Sequence, residues 1–371
     1  MNLHLCYDEK VITRTIHYFE EALPGQNKFV VFLTKNNKTS NYVKVEMPHV
    51  YFVHYKTKEF WEVVGDVTIY KNIIIHFMGD ETCSFLHTIP KGVDITWIIW
   101  GADLYNQLLV KRGFTLYANP SDIRDLPLKY KIKKLIKYPI ETLLQHRHFL
   151  VRIKSLHKVT HVCAGKGDLK LLYKFYPEIK PYIQKKFFYY PIDDIIADAL
   201  KNVKTNGNNI IVGNSASFTN NHKYVFNLLK KHNLGDRKVI VPLSYGGNKV
   251  VALKAGQILG KNFNPLVDFI SLTEYNKILA SASTFIYGNF RQEAVGNILV
   301  AFYLGAAVFL DERNPLLKDL KEEGYILYSL KELPEKIDYI LNTEERSHNR
   351  NLVLKHYNRD LMLSYIKESF G

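Results

Sequence analysis

The chain has 371 residues, 47% of them hydrophobic and 23% charged. That is an ordinary globular balance, which excludes a disordered chain, and the length suits two domains better than one core. Three scattered cysteines make no disulfide framework and no paired metal knuckle, and a formal net charge of +14 asks for an anionic partner.

The N-terminus, MNLHLCYDEK, is not a signal peptide: it has an acidic residue by position 8 and no long apolar core. No run reaches the roughly 18–20 apolar residues that span a bilayer. Short apolar strands then follow at 29–33, 49–54, 72–78 and 95–100, with a further strand ending before Gly165. Near-continuous apolar strands separated by helical stretches predict a parallel sheet covered on both faces. A boundary falls near Tyr189-Tyr190-Pro191, and the connection between domains is placed within the aperiodic 201–209 run. A second series begins at 209–212 and continues at 238–243, 284–287 and 306–310, before a helix over about 351–370. The expected domains are 1–200 and 208–340. A helical segment, 341–371, is expected to pack back on the first domain. Two such series predict tandem doubly wound α/β domains facing a cleft.

Residues 121–160 hold ten Lys/Arg against three Asp/Glu. Within 126–156, Lys129, Lys131, Lys133, Lys134 and Lys137 alternate with Tyr130, Ile132, Leu135, Ile136 and Tyr138. Such a stretch suits an anionic membrane surface, with apolar groups at the interface and lysines on phosphates. It also describes the solvated face of a core-packed helix. No recognised nucleic-acid motif accompanies the charge.

Ligands of open α/β sheets bind at the carboxyl ends of the strands. At those ends Gly213-Asn214-Ser215 permits a tight turn with exposed N–H groups, and Ser244-Tyr245 offers hydroxyls after the next strand. Both are diphosphate candidates, and both are also ordinary strand-to-helix turns. In the run 289–297, Arg291 suits a departing diphosphate, Gln292 and Glu293 suit sugar or ribose hydroxyls, and Gly296 and Asn297 open a helix start. A surface loop with a local Arg–Glu pair is the plainer alternative. In the first half, Asp103, His76 and Asp80 stand at strand ends as alternative proton acceptors. No metal-ligand motif, Walker A loop, dinucleotide fingerprint or nucleophile elbow is present. The expectation is metal-independent chemistry with no cofactor.

Four blocks carry a resemblance: WIIWGADLY (97–105), IIVGNSASFTNNH (210–222), VIVPLSYGG (239–247) and FRQEAVGNILVAFYLGAAVFLDERNP (290–315). In this order they resemble the bacterial TDP-Fuc4NAc:lipid II Fuc4NAc transferase family, glycosyltransferase family 56. The resemblance spans about residues 70 to 320. It implies a GT-B fold, two Rossmann-like domains with a cleft between them. It also implies a peripheral enzyme at the cytoplasmic face of the bacterial inner membrane, a dTDP-activated deoxyamino sugar as donor, and an undecaprenyl-diphosphate-linked saccharide as acceptor. Glu293 departs from the family, which often carries a second Gln there. A carboxylate in place of an amide changes which sugar group is read. A fucose-like donor on another nucleotide, serving an O-antigen or capsule, therefore stays open. A peripheral membrane-binding protein without catalysis is the alternative from a different class.

Overall fold

The computed structural model describes residues 1–34, 37–119, 147–201, 203–205, 207–247 and 249–371. The lysine-rich centre of the 126–156 stretch lies outside the described residues. The chain divides into two compact units. The first contains β1 (Asn2–Tyr7), α1 (Lys10–Ala22), β2 (Asn27–Phe32), β3 (Val50–Val53), α2 (Lys58–Val64), β4 (Asn72–Ile75), α3 (Asp80–Leu86), β5 (Ile95–Ile98) and α4 (Ala102–Tyr105). It continues with a helix α5, described over 147–156, then β6 (His161–Cys163), α6 (Lys166–Phe175) and β7 (Ile183–Gln184). The second contains α7 (Ile192–Ile195), β8 (Asn209–Val212), α8 (His222–Leu229), β9 (Val239–Pro242), α9 (Lys249–Gly256), β10 (Phe263–Leu266), α10 (Leu272–Ala280) and β11 (Ala282–Tyr287). It ends with α11 (Val295–Leu304), β12 (Ala307–Leu310), α12 (Pro315–Glu322), β13 (Tyr328–Ser329), α13 (Leu333–Lys336) and α14 (Thr343–His356). The last helix, α15 (Arg359–Phe370), belongs to the first unit from Asp360 onward.

Every strand pair in both sheets is parallel. The orders are β3-β2-β1-β4-β5-β6-β7 and β10-β9-β8-β11-β12-β13. Each order reverses once, between β1 and β4 in the first unit and between β8 and β11 in the second. At a reversal the loops leave the strand ends in opposite directions and open a crevice, the ligand position of doubly wound sheets. In the second unit one apolar layer packs α10 and α11 against β11 and β12, and another packs α8 and α9 against β8 and β9.

The units do not follow the boundaries 1–200, 208–340 and 341–371. Ile192 and Ile196 pack in the same core as α11, which pulls the chain from Tyr190 onward into the second unit. Residues 114–119 join it too, because the Asn221 amide takes the Ala118 N–H (3.0 Å) and donates to the Leu116 carbonyl (3.2 Å). Val353 of α14 is fully buried in that core, whereas Met362, Ile366 and Phe370 of α15 pack with Ile12, Ile16 and Phe19 of α1. The expected helix over 351–370 is thus two helices, interrupted at Tyr357-Asn358. Among the described residues no helix is long and apolar enough to cross a membrane.

A polar chain runs through the first core. Asn27 spends its amide N–H groups on the Phe19 and Leu23 carbonyls and on Glu20, so its Oδ1 accepts from His4 Nε2 (3.3 Å). His4 Nδ1 is then bare and accepts from His76 Nε2 (3.0 Å), and His76 Nδ1 accepts from the Tyr189 hydroxyl (2.8 Å). Every acceptor in the chain needs a neutral imidazole. Burial pushes His76 down to about 3, and burial, followed by the His76 charge, holds His4 well below its ordinary value. The unfolded chain therefore takes these protons first. Their contribution to stability is full above about pH 6.5 and is lost as pH falls from there, by about 1.4 kcal/mol per pH unit for each histidine. All three tryptophans, Trp61, Trp97 and Trp100, lie in this unit, so urea unfolding followed by tryptophan fluorescence reports on it. The destabilisation caused by His76→Gln is expected to be smaller at pH 5 than at pH 7.5. An equal loss at both pH values would contradict the neutral chain.

Candidate functional site

The loops at the β8/β11 reversal are cross-linked by side chains. Gly213 ends β8 with φ 69°, and a Cβ there would lie 2.6 Å from Asn220 Oδ1. Only glycine fits this turn. Asn220 Oδ1 accepts the Asn214 N–H (3.1 Å), and its amide N–H groups reach the Ser215 carbonyl (3.2 Å) and hydroxyl (3.1 Å). Ser215 is thereby buried and committed to the turn. Asn214 donates to the Tyr245 hydroxyl (3.3 Å), and the Ala216 N–H donates to the Tyr245 carbonyl (2.7 Å). These two bonds join the β8 loop to the β9 loop, where Ser244 is half-buried and Tyr245 exposed.

Glu293 joins the β8 loop to the β11 loop. Its Oε2 accepts from Thr219 Oγ1 (2.6 Å), Asn289 Nδ2 (2.9 Å) and Arg291 Nε (3.0 Å). Arg291 is only 9% exposed, so this pairing is shielded from water and stronger than a surface bridge. The adjacent Ala294 takes the left-handed region at φ 63° and caps α11 without a side-chain bond. The cap thus spends no side-chain bond on the first N–H groups of α11, a helix start suited to an anion. Gly296 stands in that first turn, and an added Cβ would meet nothing nearer than 3.8 Å. Asn297 instead turns to α10, donating to the Tyr275 hydroxyl (2.8 Å). The buried Gln292 Oε1, Asn289 Oδ1 and Tyr287 hydroxyl have no partner among the described residues. A separate cavity beside α8 and α9, lined by Tyr117, Ser217, His222 and Lys223, contains none of the Arg291 loop.

The structure separates the three acceptor candidates of the first unit. Asp103 is fully buried and accepts from Met78 N (3.1 Å), Trp97 Nε1 (2.8 Å), Trp100 N (3.1 Å) and Leu104 N (3.1 Å). Burial pushes its carboxyl up, and these four donors pull it back. It ties the ends of β4 and β5 together and leaves no oxygen for a substrate, which corrects its assignment as a base. His76 has both ring nitrogens in the core chain and is corrected for the same reason. Asp80 is the half-exposed candidate. Its Oδ1 binds Arg152 (2.6 Å) and its Oδ2 binds His148 Nδ1 (2.7 Å).

Thr219, Asn220, Asn221, Arg152 and His148 were not singled out by the sequence. The first three stand in the quoted FTNNH run, where repeated Thr and Asn after a turn glycine signals side-chain capping. The last two come from α5, far along the chain from Asp80, and only the fold brings them there.

One carboxylate oxygen ties two loops, so Glu293→Ala is expected to speed amide hydrogen exchange in 214–221 as well as in 289–294. Faster exchange confined to 289–294 would show that the Thr219 bond does not hold the loops together.

Solved structures share this fold at low identity. Sucrose-phosphate synthase from Thermosynechococcus elongatus matches with TM-score 0.63 and 10% identity, over 99% of this chain and 98% of that one. A glycosyltransferase from Rickettsia africae ESF-5 gives 0.63 and 12%, over 100% and 97%. A UDP-forming trehalose-phosphate synthase from Burkholderia xenovorans gives 0.60 and 10%, over 100% of both chains. The fold is that of the GT-B glycosyltransferases. The family described as 4-alpha-L-fucosyltransferase, glycosyl transferase group 56, matches residues 136–353, more than half of the sequence and including the whole β8–β11 crevice. With strand order, crevice and family in agreement, the chain is a glycosyltransferase belonging to glycosyl transferase group 56.

Proposed function

We propose that the β8/β11 crevice holds the diphosphate of a nucleotide-activated 6-deoxyhexose, and that the chain transfers this sugar to a lipid-linked glycan. The observation that carries the donor assignment is the α11 start, uncapped behind the left-handed Ala294, with the Arg291 guanidinium just upstream. As the bond from the sugar to the diphosphate breaks, negative charge grows on the leaving oxygens. Arg291 and the α11 N–H groups stabilise that charge without a bound metal. Tyr245, Gln292 and Glu293 Oε1 supply polar groups for the sugar or ribose, while Gly213 and Ser215 shape the turn beside them.

The sugar assignment rests on resemblance. The quoted blocks point to a dTDP-linked 4-acetamido-4,6-dideoxygalactose, and the matching family is described by fucosyl transfer. Both are 6-deoxy sugars of galactose configuration. Glu293 supports a fucose-like donor on another nucleotide as the second reading, because a carboxylate stands where the family often carries an amide. The acceptor in this reading is an undecaprenyl-diphosphate-linked saccharide at the cytoplasmic face of the bacterial inner membrane. The alternation of lysine with tyrosine and isoleucine in 126–156 supports peripheral attachment to anionic lipid.

Calorimetric titration with dTDP, UDP and GDP in EDTA tests the donor site. The expected result is metal-free binding that favours dTDP and weakens by about 10- to 100-fold in Arg291→Ala, the loss of charge-assisted bonds. Preference for UDP or GDP would replace the dTDP donor, and binding of none would overturn the site.

A further inference from the structure

We propose that the cavity between α8 and α9 is the subsite for the donor's sugar, where it takes the edge of a 6-deoxyhexose that carries the methyl group. The proposal rests on the donor reading above and deepens it, by assigning the part of the site that chooses the sugar.

The cavity lies wholly within the second unit. It encloses about 40 Å³, room for about three water-sized groups. A whole nucleobase is too large to be enclosed there. The substituents on one edge of a hexose fit, and a transferred sugar has to keep its other edge open to the acceptor.

None of the Arg291 loop lines the cavity, yet two hydrogen bonds join them. Thr219 Oγ1 donates to Glu293 Oε2 (2.6 Å). Its one proton is thereby spent, so Ser217 Oγ, on the cavity wall, donates to Thr219 Oγ1 (2.8 Å). Glu293 stands just before α11, whose start is assigned to the diphosphate. The cavity therefore adjoins the diphosphate position through a single residue, Thr219.

The two helices give the cavity unlike walls. α9 contributes Val251, Ala252 and Ala255, all apolar. α8 contributes His222, its first residue, which is 7% exposed and whose Nε2 has no partner among the described residues. The Gly213 turn keeps space beside that nitrogen, since a Cβ there would lie 3.0 Å from it. Burial pushes His222 down to about 4, so the ring is neutral at neutral pH. A neutral imidazole nitrogen makes one hydrogen bond but offers a phosphate no charge, and Lys223, the cation on the lining, is exposed to solvent. An apolar wall facing one uncharged polar atom matches the C6 methyl of a 6-deoxyhexose beside the polar substituent on C4. A 6-hydroxyl would be desolvated against the alanines with no partner there.

The test is calorimetric titration of the full chain with dTDP, dTDP-fucose and dTDP-galactose, the 6-hydroxy counterpart. The same set is built on UDP or GDP if that is the nucleotide bound. The unaltered chain is expected to bind the 6-deoxy sugar about 10-fold or more tighter than the 6-hydroxy sugar. Ala255→Leu fills the apolar wall, and His222→Phe keeps a ring while removing Nε2. Each is expected to weaken dTDP-fucose about 10-fold with dTDP affinity unchanged. Equal affinity of the unaltered chain for the two sugars overturns the proposal. So does a change of less than about threefold in both variants. A loss of equal size for dTDP and dTDP-fucose in both variants also overturns it, since that marks a shifted loop and not a lost sugar contact. Failure of the donor reading is distinguishable: it shows as absent binding of every nucleotide to the unaltered chain, and the subsite then falls with it.

Discussion

A parallel sheet covered on both faces leaves polar chemistry one place to stand. Its strands must be apolar on both sides, and its backbone groups are spent on neighbouring strands. Functional side chains therefore collect where strands end, and the order reversal opens that edge. The second unit obeys this constraint. Its strands β8, β11 and β12 are almost wholly buried, and Gly213, Asn214, Arg291 and Glu293 follow directly on the ends of β8 and β11.

Three carboxylates show how environment divides similar chemistry into different work. Asp103 receives four donors in a dry core and serves as a joint between strand ends. Glu293 receives three on one oxygen, linking two loops while the other oxygen keeps capacity for a ligand. Asp80 is half exposed, bound by a buried arginine on one side and a histidine on the other. A lone carboxylate at a strand end is thus weak evidence for catalysis; the donors around it decide.

The fold was largely legible because its strands are apolar runs bounded by turn residues. The 72–78 and 95–100 runs appear as β4 and β5, and 209–212 appears unchanged as β8. β1 was missed although it is an interior strand of its sheet, since Asn2 and His4 interrupt the apolar pattern. Their burial is satisfied by Asn27, Asn72, His76 and the Phe370 carbonyl, which sit in other strands, loops and the last helix. β10 was missed because Pro265 argues against a strand; it is tolerated here at a sheet edge. In the candidate site, local signals such as the Gly213 turn and the Arg291–Glu293 pair could be read. The Thr219–Glu293 and Asp80–His148 contacts could not, because they join residues 74 and 68 positions apart.

The most direct measurement is a crystal structure of the full chain with the bound nucleoside diphosphate that proves tightest in solution. The account predicts phosphate oxygens within hydrogen-bonding distance, about 3 Å, of the first N–H groups of α11, with the Arg291 side chain turned to them. Phosphates seated elsewhere, such as the α8–α9 cavity, would contradict it.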